Sequence, residues 1–510
     1  MDLATRSSGI LAHLTSIPGP HGIGDLGTAA YRFVDWLAAA RQRWWQMLPI
    51  GPLGYSPSPY SANSAFAGNP LLISLDMLVE ANLLKAADLE PLRQLPVHRV
   101  DYPISRQMNE HLMKKAFETF RRRGDGEEKS RFGAFCDAQH VWLDDYALFM
   151  ALKQAQGGMP WFRWREDLRD RQSPAVVSAR NELRDEVLFH QFVQYEFDRQ
   201  WTLLQAHCRA RGIGLMGDIP IFVEHDSADV WAHRELFQLD GQGRPLAVAG
   251  VPPDYFSATG QRWGNPLYRW DVMREHGYQW WLERLRLTLA RFDCARLDHF
   301  IGFHHCWAIP PSSRTAQSGL WIKGPGSDFF QVVRADLGGL PFIAEDLGLI
   351  TTDVAALRDE FHLPGVRVLQ FAFGDELAWP EDLPLSYPTN CVVYTGTHDN
   401  DTTAGWFHTA GDSTQSKTAI ASERSRVLKY LGSDGHEIHW DMIRLAMMTP
   451  AALAIIPLQD LMGLGSEARM NRPGTDHGNW EWRFDESQLS EDIGRRLQNL
   501  TEEHGRSAIR

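Results

Sequence analysis

Three acidic residues stand at or just beyond the ends of short apolar segments, and their chemistry makes them candidates for catalysis. Asp298 ends the segment 294–298, Glu345 follows the apolar residues 341–344, and Asp399 comes soon after a third apolar segment. In a fold that alternates strands and helices, such positions are the C-terminal ends of buried strands, where barrel enzymes hold their catalytic groups. The sequence therefore predicts three carboxylates in one pocket.

Arg296 precedes Asp298 by two residues. Side chains two apart on a strand point to the same face, so the two groups are expected to be neighbours. A guanidinium beside a carboxylate favours the charged form of the acid. The pair suits an oriented nucleophile, although a purely structural Arg–Asp pair explains this stretch equally well. The presence of two further acids at strand ends favours a catalytic role for Asp298.

Two carboxylates that face each other across a substrate are typical of glycoside chemistry. In that interpretation Asp298 attacks the anomeric carbon. Glu345, partly buried behind an apolar run, protonates the departing oxygen and later deprotonates the incoming one. Asp399, next to His398, holds sugar hydroxyls and favours the charged, flattened ring of the transition state. A solvated loop position remains an alternative for any one of the three acids.

A metal site is the competing interpretation. Six residues could supply ligands: His299, His304, His305, His398, Asp399 and Asp401. The sequence has no H-E-x-x-H and no aspartate-rich calcium loop. It also has no convincing phosphate-binding loop and no G-x-S-x-G nucleophile elbow. We therefore expect neither a metal nor an organic cofactor.

The elements that must position these acids are eight short apolar segments separated mostly by helical patterns. The predicted strands lie near 9–14, 44–48, 214–218, 294–298, 342–345, 366–371, 391–395 and 454–458. This alternation predicts an α/β fold, a (β/α)8 TIM barrel with inserted helical subdomains. A doubly wound sheet is the alternative, but the glycines at 19–24 do not fit its nucleotide-binding fingerprint.

The chain is interpreted as one catalytic barrel over residues 1–510 with two insertions. The first, 51–210, lies between the second and third strands and is mostly helical over about 75–185. The second, 221–268, is rich in Pro, Gly and aromatic residues and is interpreted as a loop or lid. Length alone allows several domains, but a single barrel with insertions can also account for a chain of this length.

Charge and cysteine usage exclude some partners. The net charge of −13 argues against nucleic acid or an anionic membrane surface as partner. Five scattered cysteines without a C-x-x-C pair indicate buried thiols in a reducing compartment. No basic-then-apolar leader and no apolar run of about 18 residues is present. We expect a cytoplasmic protein, and the sequence leaves its oligomeric state open.

The same residues lie in motifs that resemble the amylomaltases, the 4-α-glucanotransferases of glycoside hydrolase family 77. The resemblance runs almost end to end. It includes SAFAGNP at 64–70, GDIPIFV at 217–223, GVPPDYF at 250–256, QRWGNP at 261–266, RLDHF at 296–300, AEDLG at 344–348, VLQFAF at 368–373, YTGTHDNDTT at 394–403 and RMNRPGT at 469–475.

The resemblance implies retaining transfer of α-1,4-glucan segments between maltooligosaccharides, with Asp298 as nucleophile, Glu345 as acid/base and Asp399 as the third acid. It also implies substrate contacts at Tyr60, Asp218, Asp254, Tyr255, Phe256, Trp263, Asn265, Arg296, His299 and His398. Asp254, Tyr255, Phe256 and Trp263 resemble a lid over the acceptor side. A mainly hydrolytic α-glucanase with the same acids is the first alternative, and a non-catalytic glucan-binding protein is the second.

Three places depart from the commoner pattern of the family. Pro57 stands where many relatives carry an acid, Ile301 replaces a frequent arginine, and residues 303–307 read FHHCW where an EAYW type is usual. These positions border the expected cleft. They bear on acceptor preference and product size rather than on the class of reaction.

Overall fold

Eight parallel strands close into a barrel. The computed structural model describes residues 2–123, 126–253, 257–348, 350–374, 383–408 and 417–507. The strands in these residues are β1 Ser7–Leu11, β2 Trp44–Gln46, β3 Gly214–Pro220, β4 Val248–Val251, β5 Gln261–Pro266, β6 Cys294–Asp298, β7 His305–Ile309, β8 Leu320–Lys323, β9 Phe342–Ala344, β10 Gly365–Val368, β11 Cys391–Tyr394 and β12 Leu453–Pro457. The barrel order is β1-β12-β11-β10-β9-β6-β3-β2, with every pair parallel. The predicted (β/α)8 barrel is confirmed, and all eight predicted strands are present.

Helices connect the strands and cover the barrel. They are α1 Thr28–Ala39, α2 Leu75–Glu80, α3 Tyr102–Arg122, α4 Gly126–Ala155, α5 Glu166–Arg169, α6 Ser173–Glu182, α7 Arg184–Ala210, α8 Ala228–Ala232, α9 Trp270–Glu275, α10 Gln279–Arg291, α11 Ser327–Leu337, α12 Thr352–Glu360, α13 Thr403–His408, α14 Lys417–Leu431, α15 Ile438–Met448, α16 Leu458–Leu461 and α17 Glu491–Glu503. Helices α2 to α7 all lie between β2 and β3. No described helix is long and apolar enough to cross a membrane.

The barrel interior is apolar at its centre and charged at the C-terminal ends of the strands. Trp44, Met216 and Cys294 belong to the buried cluster inside the barrel. Side chains alternate along a strand, so the residues two positions further along β3 and β6 also point inward. Those residues are Asp218 and Arg296, which are directly paired in register. The charged side chains therefore lie at the C-terminal end of the barrel, after the last inward-facing apolar residue of each strand.

A second, antiparallel sheet of order β5-β4-β7-β8 lies outside the barrel and was not predicted. The sequence predicts a loop or lid over 221–268, yet this segment contains α8, β4 and β5. The β5 sequence, QRWGNP, has no apolar run. The β4 strand pairs with β7, which follows only after β6, and a local pattern does not reveal a partner that distant. The division of the chain into one barrel with two insertions stays a prediction.

Candidate active site

A single buried guanidinium joins three of the predicted acids. Arg296 Nη1 donates to Asp218 Oδ1 and Oδ2, each at 2.9 Å, and to Asp298 Oδ1 at 2.7 Å. Its Nη2 lies 3.9 Å from Glu345 Oε2. Burial acts to lower the pKa of Arg296, but the surrounding carboxylates raise it well above its ordinary value. The cation is therefore permanent and fixes the relative positions of these groups.

Asp298 ends β6 with its carboxylate at the mouth of the barrel. Its side chain is 26% exposed, whereas those of Arg296 and Asp218 are 7% and 0% exposed. The hydrogen bond from Arg296 orients one carboxylate oxygen. Asp298 is therefore more exposed than Arg296 and Asp218.

Glu345 follows β9 and is held by backbone donors. The His299 N–H donates to Oε2 at 2.7 Å and the Leu347 N–H donates to Oε1 at 3.2 Å. Burial raises the pKa of Glu345 to about 8; Arg296 opposes the rise and Asp298 adds to it. A carboxyl with this pKa keeps its proton at neutral pH, in the direction predicted from its apolar flank, and can act as a general acid.

Asp399 lies in the loop after β11 and is oriented by a segment that follows β12. Asn471 Nδ2 donates to Asp399 Oδ1 at 2.6 Å, and Arg469 Nη2 donates to the Asp399 backbone oxygen at 2.7 Å. His398 Nε2 is 3.4 Å from the same Oδ1. Asn471 and Arg469 received no role in the sequence analysis, although both lie in the motif at 469–475. Their roles emerge only when the loops are brought together.

Tyr60 links Asp218, which accepts from Arg296, to His398, the neighbour of Asp399. Its hydroxyl donates to Asp218 Oδ2 at 2.7 Å, and its ring stacks on His398 with centroids 5.2 Å apart. Burial raises the pKa of Tyr60 well above 10, and the negative charges of Asp218, Asp298 and Asp399 add to the rise. One ring thus lies within electrostatic range of acids from three different strand ends.

Asp218 is itself perturbed. Burial raises its pKa to about 6, and the charge of Arg296 opposes that rise. Because its carboxylate accepts from both Arg296 and Tyr60, its first structural role is to hold these two residues in place.

Trp263 and Asn265, two of the predicted substrate contacts, both lie on β5. The Trp263 ring meets the His299 ring edge-on, with centroids 4.8 Å apart, and Asn265 Nδ2 donates to the Val223 backbone oxygen at 2.9 Å. His299 has a left-handed backbone with φ of 53°, and burial lowers its pKa to about 4, which keeps the ring neutral. Its Nε2 is buried and has no hydrogen-bond partner among the described residues. The predicted lid residues Asp254, Tyr255 and Phe256 lie outside the described residues.

The competing metal interpretation finds no geometric support in the part of the chain that the structure describes. There, no three histidine, cysteine or acidic side chains are grouped so that they could hold an ion. His304 and His305 contact each other through their Nδ1 atoms at 2.6 Å. The cluster around Arg296 instead offers what glycosyl transfer needs, namely an accessible carboxylate beside a protonated one.

Known proteins resemble the chain over nearly its whole length. The family model for glycoside hydrolase family 77, described as 4-alpha-glucanotransferase, matches residues 12–489. The 4-alpha-glucanotransferase of Thermus thermophilus is 48% identical over 98% of this chain and 98% of its own. The chloroplastic/amyloplastic 4-alpha-glucanotransferase of Solanum tuberosum is 42% identical over 98% of this chain and 86% of its own. Among solved structures, amylomaltase from Streptococcus agalactiae in complex with acarbose has a TM-score of 0.93 at 34% identity, covering 99% of this chain and 100% of its own. The chain belongs to glycoside hydrolase family 77, the family of 4-alpha-glucanotransferases.

Proposed function

We propose that this chain moves segments of α-1,4-glucan from one maltooligosaccharide to another by a retaining double displacement. The observation that carries the proposal is the Arg296 guanidinium, which bonds Asp298 and Asp218 and lies 3.9 Å from Glu345. It brings a carboxylate that can attack close to a carboxyl that retains its proton. That combination is the requirement of retaining glycosyl transfer.

In the first step an Asp298 oxygen attacks the anomeric carbon of the donor sugar. The bond from that carbon to the glycosidic oxygen breaks, and Glu345 gives its proton to the departing oxygen. A glycosyl ester on Asp298 and a shortened glucan result. The raised pKa of Glu345 supplies the proton at neutral pH.

In the second step the 4-hydroxyl of an acceptor sugar attacks the anomeric carbon from the side that the first product has left. Glu345, now a carboxylate, takes the hydroxyl proton while the ester bond to Asp298 breaks. Two displacements at one carbon restore its original configuration. The α-linkage is therefore rebuilt, and both catalytic acids return to their starting states.

The remaining predicted residues bind the sugar that reacts. Asp399, held by Asn471, is assigned to the hydroxyls of that sugar, and His398 and Asp218 are assigned to the same ring. Tyr60 is assigned as the stacking surface below it. Hydrogen bonds that tighten as the ring flattens stabilise the transition state more than the bound substrate.

Transfer must compete with attack by water on the ester. Acceptor groups that hold a sugar in line and exclude water favour transfer. Trp263, packed against His299 at the mouth of the pocket, is assigned to this task together with Asp254, Tyr255, Phe256 and Asn265. A mainly hydrolytic enzyme would use the same acids with a weaker acceptor site.

Chromatography of the products from pure maltotriose tests the proposal. Transfer converts two maltotrioses into glucose and a five-unit glucan, followed by longer oligomers. Hydrolysis instead gives glucose and maltose in equal amounts with no longer product, and that outcome would overturn the proposal. Running the reaction with and without EDTA tests the expectation that no metal takes part; equal rates are expected.

We also propose that the protein works in the cytoplasm. The support is its cysteines: all five are free thiols, and Cys208, Cys294, Cys306 and Cys391 are buried. Such thiols are typical of a reducing compartment. Fractionation of cells that produce the protein, with the enzyme activity followed in each fraction, tests this location.

A further inference from the structure

The face of the antiparallel sheet that points away from the barrel carries an aromatic surface with no role in the reaction. Gly250 pairs with Arg262 on one side and with Trp307 on the other, and Trp307 pairs with Trp321. Residues directly opposite each other share a face. The four therefore form one row across β5, β4, β7 and β8, which we call the outer face.

The opposite face of the same sheet serves the active site. Trp263, adjacent to Arg262 on β5, points inward and contacts His299. Ala249, Cys306 and Ala308 also point inward and belong to the buried cluster beneath. One sheet thus presents Trp263 to His299 on its inner face and Trp321 to solvent on its outer face.

Trp321 is held rigidly while remaining exposed. Its side chain is 43% exposed, yet its ring meets the ring of Trp307 at 5.1 Å and that of His305 at 4.6 Å, both edge-on. Trp307 is fixed in turn because its Nε1 donates to the Ala316 backbone oxygen at 2.9 Å. A preformed ring loses little entropy on binding, which favours recognition of a weakly held ligand.

Polar donors border the rings. Lys323 pairs with His305 on the row next to Trp321, and Arg262 ends the Trp307 row. An indole beside ammonium and imidazole groups matches a sugar, whose C–H face packs on the ring while its hydroxyls accept hydrogen bonds. A protein partner fits less well, since a specific interface buries about 800 Å² on each side, more than these two rings offer.

We propose that Trp321, supported by Trp307 and His305, is the stacking platform of a second α-1,4-glucan site on the outer face. The proposal rests on the proposed function for the identity of the ligand. Such a site holds a distant part of a long chain and raises its effective concentration at the acids, whereas a trisaccharide in the active site does not reach it.

The test compares Trp321→Ala with Leu320→Ala. Leu320 is the neighbouring residue on β8, is 73% exposed and points to the opposite face, so it controls for loss of exposed apolar surface. Affinity electrophoresis in gels containing amylose measures binding without turnover, and rates with amylose and maltotriose measure catalysis. A gel containing a β-1,4-glucan controls for general adhesion to sugars.

We expect Trp321→Ala to bind amylose about threefold to tenfold more weakly, the range that an aromatic contact contributes. Its KM for amylose should rise by a similar factor, while kcat/KM for maltotriose stays unchanged. Trp321→Phe should be intermediate and Leu320→Ala should match the wild type. If Trp321→Ala folds poorly, the amylose affinity of Trp321→Phe tests the second site in its place.

Amylose retardation of Trp321→Ala equal to that of the wild type would overturn the second site. Equal losses with amylose and maltotriose would also overturn it, because the residue would then act on the active site itself. Failure of the proposed function looks different: the wild type would then yield no longer oligomers from maltotriose, whatever the gel shows.

Discussion

Replacing Glu345 by glutamine is expected to stabilise the fold at alkaline pH while removing most of the activity. Burial raises the pKa of Glu345 from 4.5 to about 8 in the folded protein. Between these two values the folded state holds a proton that the unfolded chain has lost, so stability falls as the pH rises through this window. A pKa difference of this size corresponds to about 5 kcal/mol once the pH is above both values, and to about 4 kcal/mol at pH 8.

Glutamine is neutral at every pH and has nearly the same shape, and its oxygen can still accept from the His299 N–H, but its NH2 group replaces the oxygen that accepts from the Leu347 N–H. At pH 5 the variant should therefore be slightly less stable than the wild type, by about 1 kcal/mol. At pH 8 the variant should be more stable by up to about 4 kcal/mol. Unfolding in urea can be followed by the fluorescence of the 19 tryptophans, with Glu275→Gln, the same substitution at an exposed glutamate, as the matched control.

Activity of the same variant separates an acid from a structural residue. Transfer from maltotriose should fall about 10²–10⁴-fold, because the departing sugar oxygen needs a proton. An α-maltosyl fluoride, whose fluoride leaves without a proton, should form the glycosyl ester at nearly the wild-type rate. The wild-type kcat/KM should decline above the pKa of Glu345, about 8.

Two results would refute this reasoning. The first is a stability gain at pH 5 as large as the gain at pH 8, which would mean that packing rather than ionisation is responsible. The second is an equal loss of rate with maltotriose and with the fluoride, which would remove the acid role from Glu345.

Three further predictions concern single contacts. Asp298→Asn should abolish both transfer and hydrolysis of maltotriose with an unchanged circular dichroism spectrum; near-normal turnover would remove the nucleophile assignment. Tyr60→Phe deletes the hydroxyl that donates to buried Asp218 at 2.7 Å and should cost about 1–3 kcal/mol in urea unfolding, whereas an unchanged midpoint would show that Asp218 does not need this donor. Trp263→Ala should raise the fraction of glucose and maltose relative to longer products from maltotriose, and an unaltered ratio would exclude Trp263 from the acceptor site.

The sequence predicted the barrel well because its strands are buried on both faces. Such strands are short apolar runs that end sharply, and β3, β6 and β11 were found from that pattern alone. The antiparallel sheet was missed because β5 has no apolar run and β4 pairs with β7 from later in the chain. Local composition does not encode partners that far away.

Part of the candidate site could also be predicted from the sequence. Acids at or just beyond strand ends are enough to nominate Asp298, Glu345 and Asp399 as candidates, and the spacing of two residues predicts that Arg296 lies beside Asp298. The donors that orient them could not be predicted: Asn471, Arg469 and the His299 N–H reach their acids only after loops from different strands meet.

By itself, then, the sequence determined which carboxylates and which guanidinium are present and that they lie at the C-terminal ends of the barrel strands. The tertiary structure decided how these groups are oriented and raised the pKa of Glu345. The physical reason is that a pKa and a hydrogen bond depend on everything that surrounds a group, including burial and charges contributed by residues hundreds of positions away. Glu345 shows this directly: its apolar neighbours in sequence hinted at burial, and burial in the closed barrel raises its pKa to about 8, with Arg296 opposing the rise and Asp298 adding to it.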